Sequence, residues 1–78
     1  MRLAAAGNLL TPAYLTLLAK GFAVRSEGEL MIAEKGADLF LAYDPIELLG
    51  VIAVAEVRGE DWQASDEEIK DFMERFPN

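Results

Sequence analysis

Neither a cysteine nor a histidine occurs anywhere in the 78 residues. That double absence decides how a chain this short can hold itself together. A domain of this size buries a modest share of its surface and usually needs disulfides, a structural metal or a partner chain. Without cysteine, disulfides and thiolate metal sites are excluded, and without histidine the commonest remaining zinc ligand is excluded too. Close packing within the chain and association with another chain are the routes left. The hydrophobic share, 53%, is that of a folding sequence rather than a disordered tail.

The same absence bears on chemistry. Ser26 falls in a turn, Ser65 and Thr11 at helix starts and Thr16 within a helix, and no imidazole is present to activate them. Lys20, Lys35 and Lys70 occupy a helix end, a turn and a helix. No catalytic residues, cofactor or metal are expected. The six glycines form neither a dinucleotide fingerprint nor a phosphate loop.

Local signals divide the chain into elements. Thr11-Pro12 reads as a helix start, with Leu10 and Leu15 as its staple. Gly21 ends that helix, and Phe22 is placed to meet Leu17 across the cap. The spacing predicts a first helix over Pro12 to Lys20, with residues 1–9 loosely ordered. Phe22 to Arg25, Leu30 to Glu34 and Ala37 to Tyr43 read as three short strands. The glycine-containing turns between them imply an antiparallel meander. In the third strand Leu39, Leu41 and Tyr43 alternate with Asp38, Phe40 and Ala42. Phe40 therefore reads as an aromatic on the far side of the sheet, partly exposed or under a second cover.

Asp44-Pro45-Ile46-Glu47 is the sharpest start signal: a capping Asp, Pro at the first helical position and Glu at the third. Residues 51–57 are rich in β-branched side chains, so a strand after Gly50 competes with a continued helix. A single interior glycine costs a helix only about 1 kcal/mol, and the balance favours one helix from Pro45 to about Arg58. Residues 59–64 read as a loop. Ser65 and Glu68 form a second capping box, and Ile69, Phe72, Met73 and Phe76 follow at helical spacing until Pro77. The fold class is α+β, one domain in the order α-β-β-β-α-α, with a three-stranded antiparallel meander packed against helices.

Three features remain as candidate function. The middle helix is apolar nearly all round, so Val51 and Val54 lie on surface that its neighbours either use up or leave for another chain. Trp62 reads as a lid over the core, with an interface anchor as the alternative. The acidic run around Asp61, Glu67, Glu68 and Asp71 reads chiefly as a solvated helix start, and otherwise as a docking face for a basic partner. With net charge −7 and seven scattered basic residues, neither nucleic acid nor an anionic membrane is an expected partner. The absence of a signal segment or membrane span implies a cytoplasmic protein.

The chain therefore reads as a small acidic, non-catalytic protein-interaction module that binds a protein partner or itself, a homodimer being one form. In size, charge and order of elements it also resembles compact bacterial inhibitor and immunity proteins, although no motif is shared. That resemblance implies an alternative, an antidote that docks on a basic enzyme through its acidic face.

Overall fold

The computed structural model describes all 78 residues. A 3₁₀ turn at Gly7–Leu9 leads into α1 (Leu10–Ala19). Three strands follow, β1 (Ala23–Glu27), β2 (Leu30–Lys35) and β3 (Asp38–Ala42). The chain then forms α2 (Pro45–Arg58), a 3₁₀ turn at Gly59–Asp61 and α3 (Asp66–Arg75). This is the expected order, and residues 51–57 are helical.

α1 starts two residues before Pro12. Thr11 caps nothing, because the chain enters through the 3₁₀ turn and no side chain caps the helix. At the other end the geometry is as expected. Gly21, at φ +95°, donates its N–H to Leu18 O at 3.0 Å, and Phe22 donates to Leu17 O at 3.1 Å. These are the paired bonds of a Schellman cap, and the positive φ is why glycine stands there.

The strands form one antiparallel sheet in the order β1-β2-β3. Glu27 pairs with Leu30 and Lys35 with Asp38, so both hairpins have two-residue turns. Gly28 and Gly36 occupy the first turn position at φ +59° and +60°, while Glu29 and Ala37 have negative φ. That combination suits the type II′ turn, whose twist matches that of the strands.

α1 and α2 pack on one face of the sheet. The core between them is Leu17, Phe22, Ala33, Ala42, Leu48 and Ile52, with Val24, Met31, Phe40 and Leu49 partly buried against it. The register puts Val24, Ala33 and Phe40 in one row, so Phe40 lies on the helix side. This corrects the expected orientation of β3: Leu39 and Leu41 are on the open face, about half exposed. Ile32 is buried at the centre of that open face, between Arg25 and Leu41. Arg25 spans its border, with Nη1 2.9 Å from Glu34 Oε1 and Nε 3.4 Å from Glu27 Oε1. Both carboxylates raise the Arg25 pKa, chiefly through the Glu34 hydrogen bond.

No helix is long and apolar enough to cross a membrane.

Candidate interaction surface

The sequence of α2 serves two faces. Pro45, Leu48 and Ile52 are buried in the body, while Val51 and Val54 follow the outer side at helical spacing and are over two fifths exposed. The start of the helix is held firmly. Glu47 donates its N–H to Asp44 Oδ1 at 2.8 Å, and its own carboxylate accepts the Tyr43 N–H at 2.9 Å. Glu47 thus reaches one residue further back than a standard capping box would.

At the other end Gly59 turns the chain at φ +67°. Arg58 then clamps the segment that follows, donating from Nε to Trp62 O at 2.7 Å and from Nη2 to Gln63 O at 3.3 Å. The clamp brings Trp62 beside α2. Phe40, Val51, Val54, Ala55 and Trp62 together line a cleft of about 490 Å³ that contains no polar side chain. A shallower depression shares Val51 and Val54 and continues past Gly50 to Leu41 and Tyr43. The two form one groove beside β3, which has no strand partner on its outer edge.

Trp62 is 54% exposed and is not part of the core. The indole walls the groove, which corrects the lid expected from the sequence.

α3 begins in a complete capping box. Glu68 donates its N–H to Ser65 Oγ at 3.1 Å, and Ser65 donates its N–H to Glu68 Oε1 at 2.8 Å. The Ser65 N–H first and the Ser65 hydroxyl next, with the nearby Arg58 charge as a smaller cause, hold the Glu68 carboxyl below its ordinary pKa. Beyond the cap the helix leaves the body, and none of its residues is buried. Ile69, Phe72, Met73 and Phe76 are between 47% and 63% exposed. The rings of Phe72 and Phe76 lie 5.4 Å apart, touching each other instead of a core.

Of the residues singled out from sequence, Val51, Val54 and Trp62 meet in the groove. The acidic ones belong elsewhere: Asp61 is in the 3₁₀ turn and Glu67 is exposed on α3. Glu68 is engaged in its cap, and Asp71 pairs with Arg75 at 2.9 Å. Phe40 and Ala55 are the groove residues that sequence reasoning did not select. For Phe40 the alternation with Leu39 and Leu41 was the available signal, read with the faces reversed. For Ala55 it was the same apolar spread of α2 that singled out Val51 and Val54.

A second depression gathers Lys35, Asp38, Glu56 and Glu60 over Phe22 and Ile52. Two of these four polar groups are committed to structure. Lys35 donates to Lys20 O at 2.8 Å and lies 5.4 Å from the centre of the Phe22 ring. Glu56 pairs with Lys20 at 3.0 Å. Lys35 has no ion pair with Asp38 or Glu60, and no three acidic side chains converge as metal ligands would.

Compared with known protein families, curated proteins and solved structures, the chain matches none of them.

Proposed function

We propose that this chain is a small acidic, non-catalytic protein-interaction module. Its sheet, α1 and α2 form the folded body, and the Trp62 groove and the α3 stripe are presented for another polypeptide to cover. The observation that carries this reading is the surface left open. The chain exposes 6382 Å², against roughly 4,700 Å² for a compact monomer of its mass. Its radius of gyration is 14.5 Å, against about 11.5 Å for a compact domain of its length.

Part of the excess comes from residues 1–6, which are exposed and without regular structure. The rest includes apolar surface, since Val51, Val54, Trp62, Phe72, Met73 and Phe76 are all exposed. Large apolar patches on a soluble chain mark interaction sites. The groove also has the features of a binding surface: concave, apolar and walled by an aromatic anchor.

Small-angle X-ray scattering with light scattering over a dilution series tests this reading. A dilute monomer with a radius of gyration near 14.5 Å keeps both faces open for a partner. A monomer compacted to about 11.5 Å would mean that α3 has folded back into its own groove, and would end the reading.

A further inference from the structure

Resting on that interaction reading, we propose that the occupant of the Trp62 groove is α3 of a second copy of this chain, exchanged reciprocally about a two-fold axis. The chain carries both halves of such an interface. α3 presents a ridge of Ile69, Phe72, Met73 and Phe76, and the cleft at Trp62 has an apolar lining. A two-fold interface requires this self-complementarity, so that each copy gives what it receives.

Three observations favour a second copy. First, α3 has ten residues, and an isolated helix below ~12–15 residues is marginal in water. It needs a surface to lie on, and in the single chain none of its residues is buried. Second, the Arg58 clamp fixes the chain at Trp62 and Gln63, so α3 departs from the rim of the groove. In the proposed exchange the two-fold axis passes near Trp62, so that each α3 reaches the other copy's groove. Third, the areas agree. The excess surface is roughly 1,700 Å² per chain against a compact monomer. Part of it comes from residues 1–6, so it sets an upper bound on the area a second copy covers. Obligate homodimers bury about 1,000–2,500 Å² per chain. A basic partner would find no charge to read in the cleft at Trp62, where all five lining residues are hydrophobic, and a single carboxylate, Glu47, in the adjoining depression.

The test is sedimentation velocity on the full chain and on two complementary variants. One carries Phe72→Asp and Phe76→Asp, the other Val54→Asp. All three positions are exposed in the protomer, so the body keeps its fold, checked by circular dichroism. Trp62→Ala is a second groove variant that lies outside any helix. The wild type is expected to be a dimer and each variant alone a monomer. An equimolar mixture is expected to shift part of the protein into a weaker 1:1 heterodimer, because one of its two α3–groove contacts has both halves intact while the other has both halves altered.

The exchange is overturned by a dimer that survives in the Phe72→Asp/Phe76→Asp chain. A dimer that Leu41→Asp dissociates while Val54→Asp and Trp62→Ala leave it intact also overturns it, and assigns the contact to the open sheet face. Growth into open polymers rules out reciprocal closure. A wild type that is monomeric at high concentration ends the exchange alone if its radius of gyration stays near 14.5 Å. If the monomer is compacted to about 11.5 Å, the interaction reading falls with it.

Discussion

Glu68 shows how much one side chain contributes where helix dipole, backbone and charge coincide. Its carboxylate accepts the Ser65 N–H at 2.8 Å while its own N–H is held by Ser65 Oγ. Negative charge is also favourable in the first turn of a helix. The fold therefore prefers the ionised form, and the carboxyl lies below its ordinary pKa. The sign follows from linkage: a lowered folded pKa gives stability that is complete above the unfolded value, about 4.3, and is lost as pH falls through the folded one. α3 should lose helicity on acidification below about pH 4.3, followed by circular dichroism at 222 nm. Glu68→Gln keeps a hydrogen-bond acceptor but not the charge. It should lower helicity at neutral pH and flatten that part of the acid response. An acid profile identical in wild type and Glu68→Gln would show that the box contributes nothing through its charge.

At the scale of elements, glycine separates positions that need a special backbone from positions that do not. Gly28 and Gly36 take positive φ in the hairpin turns, so an alanine there is strained by roughly 1–2 kcal/mol although each Cβ would meet open space. Gly50 is within α2, where an added Cβ also meets nothing within 4 Å and alanine is the better helix former by ~0.8–1.0 kcal/mol. Gly28→Ala and Gly36→Ala should lower the urea midpoint, and Gly50→Ala should raise it. The same elements show what can be read from sequence. The starts at Pro45 and Asp66 are legible because a cap is a bond between residues three apart. The start of α1 is not, because a preceding 3₁₀ turn takes over the role assigned to Thr11. Alternation along β3 identifies two faces, but Leu39 and Leu41 compete with Phe40 and Ala42 for the inside. The helices decide between them, through Leu48 and Ile52 of α2 and through Leu17, more than twenty residues away in sequence. The groove was half legible: Val51, Val54 and Trp62 stand out as surplus apolar residues, whereas Phe40 joins them only once the sheet has chosen its face. The α3 stripe is plain in the sequence, but a pattern of period 3.6 cannot say whether its cover lies in the same chain.

For the whole molecule the balance is between apolar surface and charge. Each chain carries net charge −7, and the proposed exchange brings like charges together. Asp66, Glu67, Glu68, Asp71 and Glu74 flank the α3 stripe against only Lys70 and Arg75, and Glu47 lines part of the receiving groove. Association must therefore be driven by apolar burial and opposed by long-range repulsion. Salt acts on the second of these. Raising sodium chloride from 0.05 to 0.5 M shortens the screening length from beyond ~10 Å to about 4 Å, which weakens the repulsion and leaves the apolar contact in place. The dimer should tighten several-fold over that range, read as a falling dissociation constant in sedimentation equilibrium. A basic partner held by the acidic residues would behave in the opposite way, because screening removes the attraction that steers it. A dissociation constant that rises with salt would therefore show that attraction between opposite charges holds the copies together, and that burial of the α3 stripe does not drive their assembly.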